Sequence, residues 1–239
     1  MSVNWTRNVT GGGVIVLMKQ GAAVDAEPVD GTYTAYTGSS LFGNGTEIGA
    51  GNYVIFKGDG SSVNVTGLYP GTIYHVAVYE FAGTGDASGV DQGTNYKTPP
   101  AGNSSTTLAG SPVLTSPTST SITSTTADLG ADIVSTGGLA ITARGTVWNT
   151  TGPPVTENVL AEGSTGSGTF FHLRGAGDGT GTPLPSGTRI YYRGYAINSQ
   201  GTSYSQEGSF YTEPAAQASN VSITPTDSTA TVNLSLIHI

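Results

Sequence analysis

Two histidines, an acidic cluster, a glycine-rich loop and an aromatic strand are where this sequence could carry chemistry. His75 follows Tyr74 and falls on the outer face of a strand by alternation; His172 sits in Phe170-Phe171-His172-Leu173. Neither has a serine elbow or zinc-ligand spacing beside it, so both read as structural or surface residues. The sequence therefore points to no catalytic residue and no enzyme. Asp25, Glu27 and Asp30 could turn oxygens toward calcium, but they lack a calcium-loop pattern and read as a solvated turn. No metal or cofactor is expected. Gly175-Ala176-Gly177-Asp178-Gly179-Thr180-Gly181 has the glycines of a phosphate cradle without the following helix and lysine, and reads as a flexible hairpin tip. Tyr191, Arg193 and Tyr195 alternate onto one outer face, with Tyr192 inward. Such a face could stack sugars, although cross-strand packing beside arginine is the commoner use.

These residues must be held by strands. Glycine counts 36 of 239 residues, and only 10% of residues are charged. β-branched Thr and Val favour strands and glycine breaks helices. The formal charge of −8 opposes contact with phosphate backbones, so nucleic acid is excluded as a partner. No apolar run of about 20 residues is present to span a membrane as a helix. Cysteine is absent, which removes disulfides and thiolate-held metals. Met1-Ser2-Val3-Asn4-Trp5 enters a strand pattern at once, with no signal peptide; either the chain is cytosolic or its native N-terminus is missing.

Short alternating runs between Gly, Pro, Asn and Asp turns predict strands at 3–6, 14–19, 53–57, 62–66, 74–81 and 104–108. After Gly110-Ser111-Pro112 the pattern restarts at 125–134, 141–149, 169–174, 189–198 and 203–212. The expected fold class is all-β, as tandem β-sandwiches. The expected domains are 1–109, 110–213 and the leading strands of a further module at 214–239, with the first boundary in the Pro- and Ser-rich stretch 109–117.

Leu68-Tyr69-Pro70-Gly71-Thr72-Ile73-Tyr74 leads a turn into a long strand and places Tyr74 where a tyrosine corner would sit. Tyr74, Val76 and Val78 would face the core. Leu184-Pro185-Ser186-Gly187-Thr188-Arg189-Ile190-Tyr191-Tyr192 repeats the pattern with Ile190 at the corner position. These segments, with Gly145-Thr146-Val147-Trp148 and Gly208-Ser209-Phe210-Tyr211-Thr212, resemble the fibronectin type III family and its Ig-like relatives in surface proteins of Bacteroidetes-type bacteria. Val3-Asn4-Trp5-Thr6, Gly51-Asn52-Tyr53-Val54-Ile55-Phe56 and Ala77-Val78-Tyr79-Glu80-Phe81 resemble a repeat module of such proteins. The resemblance implies fibronectin III-like sandwiches that serve as spacers, adhesins or accessory domains on the cell surface.

Val3-Asn4-Trp5-Thr6 returns near the other end as Val232-Asn233-Leu234-Ser235. The tail therefore reads as the first two strands of another copy of the first module, and the first module as one that begins at its second strand. Ser219, Val221, Ile223, Thr231, Val232 and Leu234 are the candidate assembly residues. Two explanations stand. The chain is a window on a long covalent array; Leu234–Ile239 resemble translated sequencing-adapter read-through and fit a cut end. Alternatively, the tail supplies a strand to the first module of a neighbouring copy. Asn8, Asn44, Asn64, Asn103, Asn149 and Asn220 begin Asn-x-Ser/Thr triplets, and Asp227-Ser228-Thr229 resembles a short bacterial O-glycosylation site at Ser228. The functional expectation is a structural unit of an extracellular fibre or stalk, partnered by copies of itself or neighbouring modules and carrying or touching glycans. The alternative is a non-catalytic spacer or carbohydrate-binding module of a large secreted protein.

Overall fold

The computed structural model describes residues 1–8, 12–85, 91–216, 219–225 and 230–235. The chain divides into two compact units, 1–110 with 137–139 and 111–136 with 140–239.

The first unit contains β1 (Ser2–Asn4), β2 (Gly13–Gln20), β3 (Asn52–Gly58), β4 (Ser62–Asn64), β5 (Ile73–Gly85), β6 (Asp91–Tyr96) and β7 (Ala101–Thr106). β1 pairs antiparallel with β4 in a two-stranded sheet. The larger sheet runs β3-β2-β5-β6, with β7 also on β5. β2 is Gly-Val-Ile-Val-Leu-Met-Lys-Gln, and its first six residues are buried. A continuous apolar run of this length marks a strand covered on both faces. Val14, Val16 and Met18 pack with Ile55, Val65 and Tyr74, against partly buried Met1, Val3 and Trp5. Ile15 and Leu17 pack with Val54, Tyr79, Phe81 and Tyr96 on the other face, where Tyr33 and Tyr36 of the 21–51 connection also lie. Tyr74, Val76 and Val78 do share the face toward β1 and β4. Ala77 and Tyr79 are buried as well, because the long connection covers the reverse side.

The second unit contains β8 (Val113–Thr120), β9 (Thr126–Ser135), β10 (Ala143–Asn149), β11 (Leu160–Ala161), β12 (Gly168–Gly175), β13 (Arg189–Asn198), β14 (Gly201–Tyr204) and β15 (Gly208–Tyr211). A three-stranded sheet, β12-β9-β8, faces a five-stranded one, β11-β10-β13-β14 with β15 also on β13. Ala127, Leu129, Trp148, Ile190, Tyr192 and Phe210 fill the space between them at one end, and Leu114, Ala131, Ile133 and Phe170 at the other. The stretch 109–117 expected to hold the first boundary contains the division between the units at 110/111 and also the start of the edge strand β8, which the sequence pattern does not mark as a strand; the expected 203–212 strand is broken into β14 and β15. β16 (Ser219–Pro225) and β17 (Ala230–Ser235) pair antiparallel with each other.

Both sandwiches enter the long central strand of their larger sheet, β5 and β13, through the same corner. The Tyr69 N–H donates to the Tyr74 hydroxyl at 3.0 Å, and Tyr74 is fully buried. Ile190 stands at the equivalent position and is equally buried. What the two corners share is a threonine. Thr107 Oγ1 accepts the Thr72 N–H at 2.9 Å and donates to the Tyr69 carbonyl at 2.6 Å. Thr212 Oγ1 accepts the Thr188 N–H at 3.0 Å and donates to the Pro185 carbonyl at 2.6 Å. Gly71 and Gly187 take φ of 58° and 60° in the two turns, a left-handed conformation that glycine adopts without penalty.

Thr107→Val removes both bonds at nearly constant volume and leaves the Thr72 N–H without its side-chain partner. It is expected to cost about 1–3 kcal/mol. Tyr74→Phe should cost a similar amount. Urea unfolding midpoints measure both; an unchanged midpoint for Thr107→Val would show that the corner threonine does not hold the turn.

Candidate functional site

The first unit carries the feature best suited to a function. β1 has one partner among the described residues, β4. Met1 and Val65 exchange backbone hydrogen bonds at 2.8 Å each way, and the Trp5 N–H donates to the Ser61 carbonyl at 3.0 Å. Odd-numbered residues therefore bond toward β4. By the alternation of an antiparallel ladder, Ser2, Asn4 and Thr6 direct their backbone N–H and C=O groups to the opposite side. A groove of about 590 Å³ lies along that side. Residues 1–6 form one wall and residues 99–105 the other, with Val76 and Val78 of β5 between them. Glu80, Lys97 and Asn8 close one end, where the Asn8 N–H donates to a Glu80 carboxylate oxygen at 2.6 Å.

The facing wall is equally bare. All six residues of β7 are exposed. In β15, the corresponding strand of the second unit, Phe210 is buried. Among the described residues, then, the first sandwich has an open backbone edge, an exposed strand across from it and apolar residues on the floor. This geometry suits an extended chain better than a small molecule.

The expected assembly residues lie on the paired strands β16 and β17. Ser219, Val221 and Ile223 are in β16; Thr231, Val232 and Leu234 are in β17. Ile223 stands opposite Val232 and Ser222 opposite Asn233. Ser228 and residues 236–239 lie outside the described residues.

The aromatic face differs from its expectation. Tyr192 points inward and is buried, as expected, but Tyr195 is only 5% exposed. Tyr195 does alternate with Tyr191 and Arg193, and the 150–155 segment lies against the neighbouring rings of that face. The Tyr204 hydroxyl, on the adjacent strand, donates to the Val155 carbonyl at 2.6 Å. A Cβ on Gly152 would sit 3.1 Å from the Tyr191 ring. The Arg189 guanidinium already lies 4.9 Å from the centre of that ring, and the Arg193 guanidinium 5.8 Å from the Tyr204 ring. The rings thus pack against arginine and chain, and Tyr195 offers little surface to a sugar.

His172 joins a polar cluster that sequence reasoning missed. Arg174, fully buried on β12, donates to the Thr146 carbonyl at 2.8 Å and to Thr146 Oγ1 at 2.7 Å on β10 of the opposite sheet. It also donates to the Asn158 carbonyl at 2.5 Å and to Asp178 at 3.3 Å. Thr146 Oγ1 is 2.7 Å from His172 Nε2. Arg174 and His172 therefore meet at one hydroxyl oxygen, which brings the guanidinium charge close to the imidazole. Burial first, then the positive charge of Arg174, pushes the His172 pKa down to about 4. The glycine-rich tip is not loose, because Asp178 anchors it. Its carboxylate accepts the Gly175 N–H at 2.9 Å and the Thr180 N–H at 2.8 Å, and is buried beside Arg174. The i,i+4 spacing of Arg174 and Asp178 across the turn was the available signal.

The acids near residue 25 also have structural partners. Asp25 pairs with Lys19 at 2.5 Å and accepts from Asn52 at 2.9 Å, which holds its carboxyl below the usual range. Asp30 accepts the Tyr96 N–H at 2.7 Å. No group of three or more potential metal ligands occurs among the described residues.

Strand order decides the fold. In the second unit the edge strand β8 lies beside β9 and β12, and these three cover a sheet whose long central strand, β13, is entered through the clamped corner. The fold is fibronectin III-like. No family model matches the sequence, and no curated protein is similar to it. Among solved structures, the crystal structure of the chicken CNTN1 FN1-FN3 domains matches 99% of this chain over 70% of its own, at 13% identity and a TM-score of 0.37. No helix among the described residues is long and apolar enough to cross a membrane.

Two outcomes follow from the polar cluster. Arg174→Ala leaves Asp178 buried without its cation and is expected to cost about 3–5 kcal/mol, read from the denaturant midpoint. Because the folded pKa of His172 is depressed, the unfolded chain binds its proton first. Stability from the neutral ring is complete above about pH 6.5 and is lost as pH falls to about 4. Denaturation series across that window should show the slope, and His172→Gln should flatten it. An identical slope in the variant would assign the effect elsewhere.

Proposed function

We propose that this chain is a structural repeat unit of a bacterial extracellular fibre or surface stalk. It joins its neighbours head to tail through contacts between modules and through strand complementation by residues 219–235. The observation that supports this most directly is the open β1 edge beside its groove. An unpaired edge of this kind is a template for another strand, and natural sheets ordinarily cover it. The charge-poor, Ser/Thr-rich composition and the sandwich cores suit a load-bearing surface module. A spacer within a larger secreted protein uses the same properties without self-assembly.

Sedimentation velocity of the purified 239-residue chain tests this reading. Sedimentation should show elongated oligomers whose population rises with concentration. Asn4→Pro removes one N–H from the open side of β1 and leaves the bonds of Met1 and Trp5 to the β4 side in place, so it should reduce assembly without lowering the melting temperature. A chain that stays monomeric at all concentrations would overturn the fibre reading.

A further inference from the structure

The groove can be assigned an occupant and a register. Resting on the assembly reading above, we infer that β16 of a second copy of this chain fills the groove as the third strand of the β1–β4 sheet. It runs antiparallel to β1 with Ile223 opposite Val3.

Three observations converge on this strand. The second sandwich shows what belongs beside β1: its equivalent sheet carries β8 on the free side of β9. The β16–β17 pair repeats the irregularity of β8–β9. Thr115 and Thr118 face Asp132 and Gly130, so β8 carries one extra residue there. Ser219 and Ser222 face Ser235 and Asn233, with the same extra residue in β16. A bulge of this kind is a specified feature of a strand pair. Finally, β17 is β1 in sequence: Thr231-Val232-Asn233-Leu234-Ser235 matches Ser2-Val3-Asn4-Trp5-Thr6, with each substitution conserving size class or polarity.

The register then transfers directly. Ile223 faces Val232 in its own hairpin, so it would face Val3 in the groove; Ser222 would face Asn4, and Thr224 would face Ser2. Ser2 and Asn4 are the residues whose backbone groups point into the groove, so Thr224 and Ser222 complete the ladder. Ile223 shares the inward side with Val3, which already packs toward Val14 and Val16. Val221, within the bulge, falls opposite Trp5. In this register β16 runs from Pro225 opposite Met1 to Ser219 opposite Thr6, the full length of the wall that residues 1–6 form. β16 carries no charge, and Glu80 and Lys97 at the end of the groove offset one another.

A two-stranded hairpin is marginal alone. Moving β16 from β17 to β1 of a second copy keeps the central Val-Asn pair of the partner strand and adds the groove walls.

The absence of cysteine makes the test direct. Val3→Cys and Ile223→Cys chains, distinguished by a mass tag, are mixed under mild oxidation. Directly opposed residues bring their Cβ atoms to about 4.5–5.5 Å, close to disulfide reach. A Val3–Ile223 heterodimer should form in several-fold excess over Ser2→Cys or Asn4→Cys mixed with Ile223→Cys. Ser2→Cys with Thr224→Cys should link on the same register at polar positions, which guards against a core variant that fails to fold. Equal cross-linking at all positions would overturn the register. No cross-link, with assemblies that still form and still respond to Asn4→Pro, would overturn the strand assignment alone. No cross-link and no assembly would overturn the fibre reading with it.

Discussion

Every backbone N–H and C=O on a sheet edge must find a partner or water, and that requirement organises this molecule. In the second sandwich β8 meets it by lying along β9. In the first, β1 is bonded on one side to β4, while the other side faces a groove. The exposure of all of β7 follows from the same open position. A strand laid between β1 and β7 would complete the small sheet and shield one face of β7, so one structural demand accounts for two otherwise separate observations.

The remaining packing compensates for a chain poor in charge and large side chains. Each larger sheet is covered on both faces: by the facing small sheet and by a connection folded over the back. The 21–51 connection brings Tyr33 and Tyr36 onto β2 and β5, and the 150–160 segment is tied to the second unit's larger sheet by the Tyr204 hydroxyl on the Val155 carbonyl and the Trp148 N–H on the Glu157 carbonyl. The two sandwiches differ in what covers them but keep one corner in common. Thr107 and Thr212 make the same pair of bonds, which fix where the following long strand begins and so set its register.

Much of this was legible in sequence. Unbroken apolar runs such as Val14–Met18 and the alternation around Ile190 identified the central strands, and the Pro-Gly turn located the buried tyrosine corner at Tyr74. β8 was not legible, because Pro112, Pro117 and its serines look like a linker. Ser116 in fact takes φ of 50° where β8 carries its extra residue, so the irregular composition belongs to the strand. The buried state of Tyr195 was hidden for a different reason. Alternation tells which side of a sheet a residue occupies, but it cannot tell what crosses over that side. The turns Gly71-Thr72 and Gly187-Thr188 are visible in sequence, but the corner threonines that clamp them, Thr107 and Thr212, lie 35 and 24 residues further on, and no local pattern connects them.

Arg174 has a mechanical meaning beyond its charge. Its guanidinium is rooted in one sheet and bonded to Thr146 in the other, with Asn158 and Asp178 holding its remaining donors. Apolar side chains between two sheets can slip past one another with little change in contact, because dispersion has no direction. A forked cation with fixed acceptors cannot. When a chain is pulled from its ends, the sheets tend to slide, and this residue acts as a shear pin: it bears little until displacement begins, then several short bonds must break together.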